Sequence, residues 1–207
     1  MSLKLSKGSS LNLGKTAPNL RNIGIGLGWD PNETSGGPNF DLDVSAFLLT
    51  PNGKVYSDQF VVFYNSDLKT TEGRPYSYDS SVLGAVDAID GTESDGEDDE
   101  DMRIFLDKVW EGVDEIVITV SITKYPNDKF KDQRTLSLNF GMVSDCYIRC
   151  WNDETQAEIF RYDLTEKFGN EDALVFGKFK RSGTSWEFIA TGEALIGGLG
   201  ALAERYM

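Results

Sequence analysis

The sequence predicts an all-β protein, a β-sandwich of two antiparallel-type sheets with long acidic loops and a short C-terminal helix. Three observations support this fold class: many short runs that alternate apolar and polar residues, turn signals at regular spacing between them, and a single segment with helical spacing. The 207 residues include 40% hydrophobic and 12% aromatic residues, which is enough for a sizeable core. We therefore expect one domain spanning 1–207.

The N-terminal part of the chain predicts two early strand regions. Residues 3–13 alternate loosely and are broken by Gly8, which indicates a weak strand or a pair of strands. Residues 23–29 place Ile and Leu on one face and glycines on the other, an arrangement that allows another segment or a ligand to approach closely. This glycine spacing is not a dinucleotide fingerprint, because the pattern predicts no helix after it.

The remaining strands follow from the same alternation. Residues 39–49 form a strongly apolar strand, and Asn52-Gly53 predicts a hairpin turn into a second strand at 54–64. The clearest half-buried strand is 115–123, whereas 127–134 is interpreted as a charged turn. Further strands are expected at 102–106, 135–140, 146–151, 158–164, 173–180 and 185–191, and the helix is expected in 193–206, where glycines weaken it.

An unusual concentration of acids lies at residues 87–101, here called the acidic loop, which contains nine Asp or Glu and no Lys or Arg. In the strand before it, Asp41 and Asp43 point to the same face while Leu42 and Val44 point to the other. Paired carboxylates in an apolar strand need a positive counter-charge. Calcium prefers such oxygen ligands and tolerates irregular loops, so we interpret this pair as a calcium site, with the Asn65 amide as a further donor.

Three other interpretations remain open at this point. The acidic loop could be solvated and without a ligand, as acidic runs often are. It could bind a basic partner directly, in a plain interaction module. The paired carboxylates could instead serve a calcium-dependent hydrolase acting on a sugar or phosphoester. The chain has no His, which excludes a His-based triad, and neither Asp41 nor Asp95 begins a complete EF-hand loop.

Charge and cysteine content narrow the class of protein further. The net charge of −14 comes mostly from the acidic loop, and no basic cluster indicates nucleic acid binding. We see no segment suited to membrane insertion and no signal-peptide pattern, so a cytoplasmic location is expected. Cys146 and Cys150 lie four positions apart in a predicted strand, too far apart to bridge, and are expected to be buried free thiols.

Seven segments together resemble the TerD-type proteins of the tellurium-resistance and general stress family. They follow the family's order over nearly the whole chain, which makes the resemblance specific. The segments are 25–30 (Ile-Gly-Leu-Gly-Trp-Asp), 40–49 (Phe-Asp-Leu-Asp-Val-Ser-Ala-Phe-Leu-Leu), 63–65 (Phe-Tyr-Asn), 98–100 (Asp-Asp-Glu), 140–144 (Phe-Gly-Met-Val-Ser), 161–164 (Arg-Tyr-Asp-Leu) and the Gly-Gly-Leu near Gly197.

The resemblance implies a cytoplasmic, non-enzymatic β-sandwich that binds one or two calcium ions. It implies a role in stress response or tellurite resistance beside other Ter-type proteins, some of them membrane-bound. The ligand positions carried over from the family are Asp41, Asp43, Asn65, Asp87, Asp98, Asp99 and Glu100, with Asp30, Asp90 and Asp95 ranked lower. Ala88 replaces a family Asn and the loop is slightly longer, so the choice among Asp87, Asp90 and Asp95 stays open.

Overall fold

The structure, a computed structural model, describes residues 2–30, 40–86, 98–124, 138–164 and 168–207. Within these ranges the chain forms twelve strands and two short α-helices. The strands are β1 Leu3–Leu5, β2 Ser10–Asn12, β3 Asn22–Gly28, β4 Leu42–Leu49, β5 Val61–Val62, β6 Val82–Leu83, β7 Glu100–Phe105, β8 Glu115–Ile122, β9 Tyr147–Asn152, β10 Glu158–Asp163, β11 Ala173–Ser182 and β12 Ser185–Leu195. The helices are α1 Leu13–Thr16 and α2 Gly198–Tyr206.

The twelve strands form two six-stranded sheets, which confirms the β-sandwich with a C-terminal helix. Sheet 1 has the order β1-β10-β9-β3-β7-β6 and sheet 2 the order β2-β12-β11-β8-β4-β5. All these neighbours pair antiparallel except β1 and β10, which are parallel. The segment expected to hold a weak strand or pair therefore divides between the two sheets, since β1 joins sheet 1 and β2 joins sheet 2.

The main core lies between the sheets and is built from the inward residues of each strand. In β3 these are Ile23, Ile25 and Leu27, as the alternation predicts, and in β4 they include Leu42 and Val44. A second apolar cluster lies on the outer face of sheet 2, where Phe47, Leu49, Val61, Val117, Ala173 and Val175 pack against Leu202 and Tyr206 of α2. Sheet 1 covers the inner face of β4 and α2 covers its outer face. The strand is therefore buried on both faces, which explains why it is almost continuously apolar.

Three predicted elements differ from the structure. The strand expected at 54–64 is reduced to β5, because residues Asp58–Phe60 form a 3-10 turn and the chain turns again at Ser66, whose N–H donates to Phe63 O. The described part of the expected strand 135–140 contains no strand, and Phe140–Met142 forms another 3-10 turn. The helix begins at Gly198, since β12 continues to Leu195.

Candidate metal centre

The paired carboxylates of β4 are buried, as their position in an apolar strand predicts. Asp41 is 4% exposed and Asp43 is 2% exposed. The Thr123 hydroxyl donates to Asp43 Oδ2, and the Thr123 N–H donates to the Asp41 carbonyl at 2.8 Å. Since Asp43 pairs with Ser121 of β8, both acids lie at the end of sheet 2 where β8 leaves the sheet. Thr123, which follows β8, therefore holds the Asp43 carboxylate through its hydroxyl and the Asp41 backbone through its N–H.

Glu100 brings a third buried carboxylate to the same end of the sandwich. It is 3% exposed and is the first residue of β7 in sheet 1, yet its Oε2 accepts a hydrogen bond from Val44 N of sheet 2 at 2.7 Å. β5 pairs with β4 only at Ala46 and Phe47, so the N–H of Val44 lies beyond that pairing and donates to the Glu100 carboxylate instead. Glu100 thus lies beside the peptide that follows Asp43.

Asp99 holds the residues that lead into β7 in place through two hydrogen bonds. Its N–H donates to Leu27 O at 2.9 Å, and its Oδ2 accepts from Trp29 N at 3.0 Å. These two bonds hold the bend at residue 99 against the end of β3. Asp30 follows directly, is exposed, and donates its N–H to Ser144 O at 3.0 Å. Asp99 and Asp30 therefore lie near the same end of β3.

Asp98 lies on the outer face of sheet 1, bound to basic and aromatic side chains. Both of its oxygens accept from Arg149 Nε at 2.8 Å, Oδ2 lies 2.7 Å from Arg149 Nη2, and the Tyr147 hydroxyl donates to Oδ1 at 3.1 Å. The hydrogen bond with Asp98 raises the pKa of Arg149, while burial and the Asp98 charge raise the pKa of Tyr147 to about 12. Asp98 is thus part of an ion pair.

The glycines of β3 make this arrangement possible. A Cβ at Gly26 would meet Asp98 Oδ2 at 2.0 Å, and a Cβ at Gly28 would meet the Tyr147 ring at 2.4 Å. Gly24 provides equivalent space for Trp151, over whose ring Arg149 lies at 4.7 Å from the centroid. The close approach expected over the glycine face is therefore made by side chains of the same protein.

The other expected ligands lie apart or outside the described residues. Asn65 follows β5, is exposed, and lines a cavity beside α2. Its neighbour Tyr64 lines a more open pocket together with Ser121 and Thr123. Asp87, Asp90 and Asp95 fall in the segment 87–97, outside the described residues. The structure thus brings Asp41, Asp43 and Glu100 to one end of the sandwich, places Asp98 on the outer face of sheet 1, and places Asn65 at the cavity beside α2.

The described residues alone do not form a complete metal site. Among residues 2–30, 40–86, 98–124, 138–164 and 168–207, no three Asp, Glu, Cys or His side chains are grouped closely enough to hold a metal ion. Sequence reasoning also missed Arg149, Tyr147 and Thr123, which position the acids. The glycine face of β3 was the only feature of the sequence that indicated a closely packed group here, and the structure shows that Gly26 pairs in register with Arg149 on β9.

The two cysteines are buried and free, as expected. Burial and then the charge of Asp99 raise the pKa of the Cys146 thiol, and burial and then Glu158 raise that of Cys150. Both thiols are therefore protonated at neutral pH and poorly reactive. In the portions of the chain that the structure describes, no helix has the length and apolar composition needed to cross a membrane.

The chain is similar over nearly its full length to proteins of one family. The TerD domain family matches residues 1–206. Tellurium resistance protein TerD of Alcaligenes sp is 43% identical over 206 residues, covering 100% of this chain and 97% of that protein. General stress protein 16U of Bacillus subtilis (strain 168) is 38% identical over 207 residues, with 100% and 97% covered.

A solved structure supports the fold. A homologue of telluride resistance protein (TerD) from Streptomyces coelicolor A3(2) superposes with a TM-score of 0.63 at 18% identity, covering 89% of this chain and 96% of that one. At this identity the likeness concerns the fold alone, two packed sheets of the same kind. Together with the full-length sequence matches, it leads to one conclusion: this chain belongs to the TerD family of tellurium-resistance and general stress proteins.

Proposed function

We propose that the protein is a non-enzymatic, calcium-binding stress-response protein whose acidic loop is ordered by the metal and then docks a partner. The observation that supports this proposal is the burial of Asp41, Asp43 and Glu100 at one end of the sandwich. Buried carboxylates are costly unless positive charge or a metal compensates them. Glu100 is also the second-to-last residue of the acidic loop, so the loop rejoins the sandwich beside Asp43 and Val44 of β4.

The ligand set we propose combines fixed and loop-borne oxygens. Asp41, Asp43 and Glu100 supply carboxylates from strand ends, and Asp99 lies one residue from Glu100. The described residues do not complete a metal site by themselves, so the remaining donors would come from Asp87, Asp90 or Asp95 in the acidic loop and from backbone carbonyls. Calcium takes six to eight oxygen ligands and accepts such a mixed set.

We assign Asp98 a positioning role within this site. Its oxygens accept from Arg149 and Tyr147, which leaves it oriented away from the buried acids of sheet 2. The ion pair would fix the C-terminal end of the acidic loop against sheet 1 and so set the position of Asp99 and Glu100. Asn65, which is exposed, and Asp30 are retained as outer donors.

The energetic consequence is a link between calcium, folding and the acidic loop. A bound divalent cation would offset the repulsion among the acids, and its binding free energy would add to the stability of the folded state. With sensor-like affinity, about 10⁻⁷–10⁻⁵ M, a hundredfold excess of calcium over Kd would add about 2.7 kcal/mol. The ordered surface would then be available to other Ter-type proteins, some of them membrane-bound.

The hydrolase hypothesis gains no support. The relatives are tellurium resistance and general stress proteins. The thiols are also poor candidates for reductive chemistry on tellurite, because burial keeps them protonated. A protein that acts by binding fits these observations better than one that acts by catalysis.

The decisive experiment is a calorimetric calcium titration of chelator-treated protein with a parallel thermal-unfolding scan. We expect micromolar or tighter binding and a higher unfolding temperature in calcium. Asp43→Asn should abolish both effects.

Asp107→Asn provides the matched control, since Asp107 is an exposed acid outside the candidate centre and should bind calcium as the native protein does. Equal unfolding temperatures in calcium and in chelator, with no heat of binding, would overturn the calcium proposal. Binding that survives in Asp43→Asn would move the site away from β4.

A further inference from the structure

A cavity of about 290 Å³ lies on the outer face of sheet 2, beside α2. Its apolar walls come from three parts of the fold: the outer face of β4 and β5, the loop that follows β5, and the inner face of α2. The residues that form these walls are Phe47, Val61, Phe63, Leu68, Tyr76, Leu199, Ala203 and Met207. Because a water molecule occupies about 30 Å³, the cavity has room for a ligand of roughly ten non-hydrogen atoms.

Two carboxylates give the cavity its charge. Asp58 and Asp67 both line it and both are exposed. Within the described parts of the chain, neither side chain forms an ion pair or a hydrogen bond. None of the described residues that line the cavity is a Lys or Arg. An apolar space with negative groups is complementary to a cation that carries an apolar body.

The walls of the cavity are held in place from several sides. Asp172 Oδ1 accepts from the N–H groups of Gly197 and Gly198 at 2.7 and 2.8 Å, which fixes the start of α2. At the other end, Arg205 pairs with Glu193 at 2.7 Å and the Tyr206 carbonyl accepts from Val55 N at 2.9 Å. The cavity is therefore preformed, so a ligand would not have to order it.

The floor of the cavity is equally well defined. The Ser66 hydroxyl donates to Val61 O at 3.1 Å and accepts from Phe63 N at 3.1 Å, which closes the turn after β5. Asp67 directly follows Ser66 in this turn and lines the cavity. Asp58 is placed by the 3-10 turn that precedes β5. The two carboxylates thus come from the segments immediately before and after β5.

We propose that this cavity binds a small organic ammonium ion with an apolar body. The apolar group lies between Phe47, Phe63 and the α2 side chains, while the ammonium group is paired with Asp58 and Asp67. Phe63 and Tyr76 also line the cavity and supply aromatic rings that can attract a cation. Asn65, retained above as an outer calcium donor, also lines this cavity, but the pairing of the ammonium group with Asp58 and Asp67 does not depend on the metal.

The test measures the binding of 2-phenylethylammonium through changes in amide chemical shifts. Calcium is present in excess, so that any protein groups that bind the metal are saturated with it and do not bind the probe. We expect saturable binding with a Kd on the order of 1 mM or tighter, with shifts concentrated at 65–68 and at α2. Two comparison probes separate the contributions: 2-phenylethanol has the same body without the charge, and methylammonium has the charge without the body. Both should bind roughly tenfold more weakly or worse.

Two sets of variants locate the binding. The double variant Asp58→Asn with Asp67→Asn should weaken 2-phenylethylammonium binding roughly tenfold, because it removes both charges. Asp107→Asn removes an exposed charge elsewhere and should bind the probe as the native protein does. Ala203→Phe fills the cavity from α2 and should abolish binding, with a thermal-unfolding scan to verify that it is folded.

Three results would overturn the proposal. The first is equal affinity for 2-phenylethanol and the ammonium ion, which would leave no role for the acids. The second is unchanged binding in the double Asp variant or in folded Ala203→Phe. The third is a shift pattern that centres on the acidic loop, which would indicate general attraction to the most negative part of the chain.

Discussion

Asp98 and Arg149 form a paired contact directly above Gly26, with distances of 2.7–2.8 Å between their carboxylate oxygens and guanidinium nitrogens. The contact joins the C-terminal end of the acidic loop to β9, at a point where Gly26 and Arg149 are partners in the sheet. A charged contact of this geometry is stronger than a neutral hydrogen bond. It therefore anchors the residues that lead into Glu100.

Gly26→Ala should destabilise the protein by about 1–3 kcal/mol, because its Cβ would lie 2.0 Å from Asp98 Oδ2 and force the carboxylate off the sheet. Urea unfolding measures this change. Gly200→Ala is the control, since a Cβ there meets nothing within 4 Å and Ala favours the helix. Equal stability of Gly26→Ala and the native protein would contradict the close packing of Asp98 over β3.

Arg149→Leu should lower the free energy of unfolding by about 2 kcal/mol, because it leaves Asp98, whose side chain is 6% exposed, without its charged donor. Combining it with Asp98→Asn should recover part of that loss in a double-mutant cycle. If the ion pair positions Asp99 and Glu100, Arg149→Leu should also weaken calcium binding in the same preparation. Additive effects of the two substitutions would show that Asp98 and Arg149 act independently.

Asp172 gives the attachment of α2 a pH dependence. Burial raises the pKa of Asp172, but hydrogen bonds from Lys124, Gly198 and Gly197 outweigh it, so the pKa lies below its ordinary value. The stabilising effect is therefore present above the ordinary pKa of about 4 and is lost as the pH falls through the folded-state pKa. Asp172→Asn should lower stability at pH 7 by about 1–2 kcal/mol, and the deficit should shrink toward pH 2. A deficit that stays constant with pH would contradict this role.

The two thiols should react only when the protein unfolds. Burial raises the pKa values of Cys146 and Cys150, so at pH 8 both are protonated as well as enclosed. A chromogenic disulfide reagent should label native protein at the rate of unfolding, and should label both thiols at once in denaturant. Rapid labelling of the native state would contradict this prediction, because it would require the fold to open around β9 without global unfolding.

The sandwich could be predicted from sequence because most of its strands alternate clearly and end at strong turn signals. The failure at 54–64 has a local cause. Residues 60–64 are apolar enough for a strand, but the Ser66 hydroxyl and backbone close a turn on Phe63 immediately after β5. The assignment of β1 and β2 to different sheets could not be predicted either, since each contributes only three residues and its partners lie far along the chain.

The candidate site could be predicted only in part for a similar reason. Asp41 and Asp43 follow from a simple rule, that acids in an apolar strand need compensation, whereas Glu100 was expected only from the family resemblance; all three are buried. Asp98 shows where that rule stops. On a straight strand Asp98 and Glu100 would share a face, but the bend at residue 99 places Asp98 on the outer face with Arg149. No local sequence pattern reports such a bend.

The placement of β1 and β2 has a consequence for biosynthesis. β1 aligns Leu3 with Phe160 of β10, and β2 aligns Leu11 with Phe188 of β12, so each early strand completes a sheet whose neighbouring strand leaves the ribosome much later. Such distant pairing slows folding, because a long loop must close before any contact forms. Until then β10 and β12 present open edges to other nascent chains. Closure of both sheets is therefore an event that follows translation of β12, and until then β10 and β12 are exposed along one edge.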